Sequence, residues 1–334
     1  MEIYFLTALI VLICSKFGSK KSVGIAALIL FILGAFRGYT VGTDTNNTLM
    51  IYEGVYGYVE KEGEFLSSFI HSFIVQNNWG IRWELIITQL IFFSSLVFFW
   101  YTYEKKSSPY MFFFMFMLGY VFLSYNITRQ MMAVSIGIWA YHNRETNGSI
   151  KWFILIILVA TAFHASAIFL LLLYFIQKYR FSQVFVTVAL LVSFMIPLVL
   201  PTDSIIDSIT GNIPLLNRFS IYVGDENKSV FSLNRLLLNF MYIYILLKYN
   251  RYENDLFFKA VILSLLIMNL FPTSSIISRV AIYFSFVQSV LLGRIIKTSD
   301  EIDKAVVLVF SLTVFTVFLI TNNGGVVPYS FGGF

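Results

Sequence analysis

Long apolar runs alternate with short polar ones along this chain. The apolar blocks fall at about 3–14, 22–36, 82–103, 109–125, 127–142, 152–178, 181–200, 231–248, 256–271, 275–293 and 304–321. A helix that crosses the hydrocarbon core of a bilayer needs roughly 20 residues, with a range of about 17–25. Several blocks are shorter, so tilted or broken helices are expected among about ten to twelve crossings. The pattern predicts an all-α, polytopic integral membrane protein, with residues 1–334 forming a single transmembrane domain. No low-complexity linker, soluble domain or internal repeat interrupts it, and the missing repeat weighs modestly against many transporter folds.

Composition agrees. Of the 334 residues 58% are hydrophobic and 12% charged, about half the roughly one quarter usual in soluble domains, and mean hydropathy is +0.79. Phe (36) and Tyr (20) are abundant, as expected for lipid contact and interfaces. The net charge of +5 is spread over loop ends, which does not suit a nucleic-acid partner. The single cysteine, Cys14, excludes an intramolecular disulfide and a Cys-based metal site. The first apolar stretch has no basic segment before it and no small-residue cleavage site after it, so it is expected to be a retained helix.

Lys and Arg set the expected orientation. With Lys16, Lys20 and Lys21 inside, alternation places Lys105, Lys106, Arg144 and Lys151 inside as well. The block 152–178 has Lys151 at one end and Lys178 and Arg180 at the other. A broken or re-entrant hairpin, with its apex near the polar Thr161–Ser166, keeps all of them inside. The chain then starts and ends outside. Arg37, Lys61, Arg82, Arg129, Arg218, Lys228, Arg235 and Arg279 also fall outside. Two outside segments are long. One, 37–81, contains a Gly42-Thr43-Asp44-Thr45 turn and an amphipathic helix with Phe65, Phe69 and Phe73 against Ser67, Ser68 and His71. The other, 201–230, starts at Pro201 and holds Asp203, Asp207, Arg218, Asp225 and Lys228.

Ionisable groups at membrane depth are costly and mark candidate sites. Arg37 ends an apolar helix, where a snorkelling anchor is the plain alternative. Asp44 follows in a turn that it could cap itself, or in which it could serve as a general base. Arg129 stands with Asn126 and Gln130 on what reads as roughly one helix face, continued by the small Ala133 and Gly137. Polar glue between helices competes there with bidentate phosphate binding by the guanidinium fork. His164 interrupts an apolar block beside Ser166, either as a satisfied polar residue at a break or as a base or hydrogen-bonding group. Arg279 has entered an apolar run, one turn before Tyr283. His71, on the amphipathic stretch, and His142, in an inside loop, are weaker candidates. Three scattered histidines make no zinc site. No Walker loop, dinucleotide fingerprint or nucleophile elbow is present, and no Asp-x-Asp motif points to a metal-dependent nucleotide-sugar enzyme. No cofactor is expected. Several arginines on one side suggest a site for an anionic, membrane-held substrate.

Four motifs in order, Arg37…Gly42-Thr43-Asp44-Thr45, Asn126-x-x-Arg129-Gln130, Phe163-His164-x-Ser166-Ala167 and Arg279, resemble the EpsG family of Wzy-type polysaccharide polymerases, from the N terminus to about residue 290. The resemblance implies a GT-C-like membrane glycosyltransferase of exopolysaccharide or O-antigen synthesis. Such an enzyme joins oligosaccharide repeat units carried on undecaprenyl diphosphate at the outer face of the bacterial cytoplasmic (inner) membrane, without a metal and with inversion. Arg129 and Arg279, then Arg37, are assigned to the diphosphate, and Asp44 or His164 to the base. Asn126, Gln130, Thr43, Thr45, Ser166 and Tyr283 support them. Lipid-linked oligosaccharides are the expected donor and acceptor, the bilayer the solvent, and a chain-length regulator and a flippase the possible partners. Sugar specificity is expected in the outside loops and their aromatics Tyr52, Tyr56, Tyr58 and Tyr222. A lipid-linked oligosaccharide flippase or transporter, a membrane O-acyltransferase and a glycan ligase are the alternatives.

Overall fold

The computed structural model describes residues 1–55, 57, 64–103, 108–200, 202, 233–248, 255–322 and 324–332. The 201–230 loop apart from Thr202, with its Asp203, Asp207, Arg218, Tyr222, Asp225 and Lys228, lies outside the described residues. So do Tyr56, Tyr58, Lys61, Lys105, Lys106 and Arg251.

The apolar blocks become helices: α1 (Glu2–Phe17), α2 (Lys20–Ala35), α5 (Ile81–Thr102), α8 (Thr128–Glu145), α9 (Ile150–Phe163), α11 (Gln183–Val199), α12 (Leu233–Lys248), α13 (Leu256–Leu270) and α16 (Glu301–Thr321). The segment 37–81 adds α3 (Thr43–Tyr52) and α4 (Phe65–Gln76). Block 109–125 is two helices, α6 (Met111–Met117) and α7 (Tyr120–Asn126), parted at Gly119 with φ +82°. Block 152–178 breaks after Phe163. His164 is extended, a 3-10 turn covers Ala165–Leu171, and α10 (Leu172–Ile176) follows. This break falls on the polar stretch the sequence singles out. Block 275–293 yields α14 (Ser275–Ser285) and α15 (Gln288–Thr298). Ile81–Thr102, Ile277–Thr298 and Glu301–Thr321 are long and apolar enough to cross a membrane. No strand longer than one isolated bridge forms among the described residues.

Three expectations need correction. Residues 43–45 open a helix instead of forming a free-standing turn, because Asn126 supplies the cap that Gly42 lacks. Asn126 does not share a helix face with Arg129 and Gln130, because the chain leaves helical geometry at Ile127 between α7 and α8. His142 sits in the last turn of α8, against Trp139 and Tyr103, and not in a loop.

The chain forms two compact units: Met1–Leu170 with the chain from Ser289 on, and Leu171–Gln288. In the first unit, α1 packs on α2, α2 on α5, α5 on α8 and α8 on α9. Between apolar helices in lipid there is little hydrophobic drive, so close packing and hydrogen bonds must hold them. Small residues permit that approach. Val23, Ala26, Ala27, Leu30 and Gly34 form the buried stripe of α2, and a Cβ on Gly34 would strike the Gln89 side chain. On α8, Gly137 sits so close to Leu170 that a Cβ would lie 2.6 Å from its Cδ1. Tyr4, Phe116, Phe122 and Phe315 interlock edge-to-face and tilted, arrangements that favour aromatic pairs. Outward-facing positions are apolar instead of charged, as with Leu6 and Leu9 on α1 and Trp152 and Leu158 on α9. Such a surface is what lipid requires.

In the second unit, α11, α12 and α13 pack together. Asn239 and Asn269 exchange amide hydrogen bonds at 2.9 and 2.8 Å, and Asn269 also donates to Ser193 Oγ at 3.0 Å. Arg235 is buried, with its guanidinium over the Phe194 ring. Ser274 caps α14, which carries Arg279 and the buried Tyr283 one turn apart.

Candidate active site

The site of the first unit is built where α2 ends. Gly38 N–H donates to Ser330 O at 2.7 Å and Gly332 N–H to Phe36 O at 2.9 Å, which brackets an antiparallel bridge between Arg37 and Phe331. Gly42 N–H donates to Gly325 O at 2.9 Å. Gly42 has φ +90°, and a Cβ there would lie 2.9 Å from Tyr125 Cβ and 3.0 Å from Tyr125 O. Only glycine satisfies both the conformation and the space. Lacking a side chain, it cannot cap α3. Asn126 Oδ1 does so instead, accepting from Thr43 N at 2.7 Å and Thr43 Oγ1 at 2.9 Å, while its Nδ2 donates to Phe122 O at 3.0 Å. Asp44 stands in the first turn of α3, where aligned backbone dipoles favour an anion.

Arg37 is fully buried. Its Nε donates to Thr45 Oγ1 at 2.9 Å, its Nη1 to Gly34 O, and its guanidinium lies 4.6 Å from the Tyr125 ring centroid. Nη2 is buried with no hydrogen-bond partner among the described residues. Burial pushes the guanidinium down to about 10, against the opposing pull of Tyr125 and Asp44, so it stays charged at neutral pH. Arg82 plays a scaffold role: its Nη1 donates to Ala35 O at 2.9 Å and Arg37 O at 2.8 Å, and it covers the Tyr39 ring.

A cavity of about 240 Å³ opens beside this turn, lined by Arg37, Asp44, Thr45, Thr48, Ser67, His71, Glu84, Thr88, Arg129 and Met132 among others. On its wall Glu84 Oε2 lies 2.9 Å from His71 Nδ1 and accepts from Tyr52 Oη at 2.8 Å. Next to it, Arg129 Nη1 lies 3.3 Å from Glu64 Oε2, and Glu64 Oε1 lies 3.8 Å from His164 Nε2. Glu64 Oε1 also accepts from Ala165 N at 3.3 Å. His164 Nδ1 sits 2.7 Å from Ser166 Oγ. A buried carboxylate is tolerable only with such partners.

Of the residues chosen from sequence, Arg37, Asp44, Thr45 and Arg129 share the cavity. Thr43 and Asn126 hold the turn. His164 and Ser166 form a pair linked to Arg129 through Glu64 and are absent from the cavity lining. Gln130 is buried in α8 and is not among the lining residues. Arg279 and Tyr283 belong to the second unit. Glu64 and Glu84 were missed, and His71 was ranked too low. The available signal was α4, where Ser67 and His71 recur one turn apart after Glu64 and set a polar face against Phe65, Phe69 and Phe73. No three His, Cys, Asp or Glu side chains gather as a metal would need among the described residues. The groups that gather include guanidiniums, which suit anionic oxygens.

Helices and site together define an all-α protein with membrane-type apolar helices and a cavity that combines buried arginine with carboxylates and imidazole. The EpsG family model matches residues 20–331, and the chain belongs to the EpsG family. The match extends past residue 290, where the motifs end, and takes in α16 and the segment that pairs with Arg37. No protein of curated function and no solved structure matches the chain.

Proposed function

We propose that this protein is a membrane polysaccharide polymerase that joins oligosaccharide repeat units held on undecaprenyl diphosphate, at the outer face of the cytoplasmic membrane. One observation carries the reading: Arg37 and Arg129, from separate motifs, line one cavity with Asp44 and the His71–Glu84 pair. The growing chain leaves its diphosphate carrier as a hydroxyl of the next lipid-linked unit attacks the anomeric carbon. Direct displacement inverts that carbon, and negative charge develops on the departing diphosphate. Fixed donors aimed at developing charge stabilise the transition state without reorganising. Arg37 fits this role, since Thr45, Gly34 and Tyr125 hold it and Nη2 has a donor to spend. Arg129, about a third exposed, supplies a second fork. The assignment of Arg279 to the same diphosphate rests on its motif. The outward orientation rests on the charge pattern and is supported by the helix break at His164.

The test is a glycan ladder. The protein is expressed in a strain lacking its polymerase, and lipid-linked glycans are resolved on gels for wild type, Arg37→Ala and Arg129→Lys. Wild type should give long ladders. Both variants should accumulate single repeat units while inserting normally, since losing one such donor costs about 10²–10³-fold and a lysine point charge does not reproduce the fork. Long ladders from Arg129→Lys would remove Arg129 from the diphosphate site. No ladder from wild type would remove the polymerase reading and favour a flippase or acyltransferase.

A further inference from the structure

We infer that His71, held by Glu84 and Tyr52, is the base that takes the proton from the attacking hydroxyl; this rests on the polymerase reading above. The sequence motifs offer Asp44 and His164 for that role, and the geometry favours neither. Asp44 lies in the first turn of α3, where the helix dipole stabilises the carboxylate and so makes it a poorer proton acceptor. His164 has Ser166 Oγ at 2.7 Å from one ring nitrogen and Glu64 Oε1 at 3.8 Å from the other, and it is absent from the cavity lining.

His71 lines the cavity that Arg37 and Arg129 share, and its side chain is almost completely buried. Nδ1 faces Glu84 Oε2 at 2.9 Å. A carboxylate there holds the proton on Nδ1 and places the basic lone pair on Nε2, so the partner of one nitrogen fixes the chemistry of the other. Tyr52 Oη donates to the same Glu84 oxygen at 2.8 Å, and the Tyr52 and His71 rings meet edge-to-face at 5.3 Å. Glu84 is thus tied from α3 and α4 at once, and the imidazole has a fixed plane. A neutral imidazole is also better matched than a carboxylate to proton abstraction near neutral pH.

Arg37 on the loop and Arg129 on α8 are the cations on the cavity wall with His71. Glu84 at Nδ1 is the counter-charge for the imidazolium formed by the step; Asp44 is the other carboxylate on the cavity wall, while Glu64 and His164 lie beside Arg129. In the step itself the hydroxyl O–H bond breaks and the proton passes to Nε2. The new C–O bond forms as the anomeric C–O bond breaks, and the electron pair leaves on the diphosphate oxygen. His71 then returns its proton to water. Glu84 and Tyr52 are positioning residues.

Initial rates of repeat-unit joining are measured against pH in membranes carrying wild type, His71→Ala, Glu84→Gln, Asp44→Asn and His164→Ala. Wild type should show an acid limb, because only the unprotonated imidazole accepts. His71→Ala should lose about 10²–10⁴-fold, lose that limb, and recover partly with added imidazole. Glu84→Gln should lose rate by up to about 10⁴-fold, because an amide no longer holds the imidazole in the right tautomer. Its acid limb should also move to lower pH, since the imidazolium loses its counter-charge. Wild-type rate or an intact limb in His71→Ala overturns the assignment. So does an inactive, unrescued His71→Ala beside a Glu84→Gln enzyme with an unmoved limb. Loss of the limb in Asp44→Asn or His164→Ala alone transfers the role to that residue. Absence of any product from wild type strikes the polymerase reading instead.

Discussion

At the scale of single residues, the site depends on one backbone conformation. Gly42 turns the chain at φ +90° against Tyr125 with no room for a Cβ. Left-handed strain costs about 1–3 kcal/mol in a residue with a side chain, and the contact with the Tyr125 backbone adds to it. Gly42→Ala should therefore shift α3 with Asp44 and Thr45, lower the unfolding temperature in detergent, and shorten glycan ladders. An unchanged melting curve with full ladders would show that the turn is not strained. The arginines were legible because a charge beside an apolar run is costly wherever the chain goes. Glu64 and Glu84 were not, because a carboxylate's role depends on what folds opposite it. Here those opposites are Arg129 and His164 for Glu64, and His71 and Tyr52 for Glu84.

At the scale of elements, α4 has an inverted look for a solvated helix. Its polar Ser67 and His71 are buried, while Phe65, Phe69 and Phe73 are 65%, 65% and 43% exposed. Phe69 stacks on Phe73, Phe73 meets Trp79, and Trp79 meets Trp83, so the aromatic face continues toward α5. A helix with aromatic residues outward and polar groups toward a cavity suits the boundary of lipid and headgroup. Spin labels at Phe69 and Phe73 should be relaxed by oxygen dissolved in lipid more than by a water-soluble nickel chelate. The reverse preference would place α4 in water. The sequence pattern located the apolar helices and the break at His164, because polar Thr161–Ser166 marked it. It did not locate the break in block 109–125, where Gly119 is the sole sign in a run of Phe and Met. Nor did it reveal α3, whose polar TDTNNT start reads as a turn until Asn126 and the packing of α7 and α5 are known.

At the scale of the molecule, the first unit is closed by residues far apart in the chain. The segment after α16 meets the loop after α2 through Gly38–Ser330, Gly42–Gly325 and the Arg37–Phe331 bridge. Tyr4 Oη donates to Val326 O at 2.6 Å, and Tyr329 Oη to Leu33 O at 2.9 Å. A chain stopped after Thr321 keeps every helix but loses these bonds. It should enter the membrane at normal abundance yet yield only single repeat units on gels; full ladders would make the segment dispensable. The same closure imposes an order on biosynthesis. The arginine turn leaves the ribosome early and can meet Arg82 and Asn126 soon after, but it lacks the bonds to the 325–332 segment while the later helices are threaded into the bilayer. Its partner segment follows only after α16. A nascent chain therefore carries all of the cavity-lining residues, Arg37 to Met132, before the segment that braces the arginine turn has emerged.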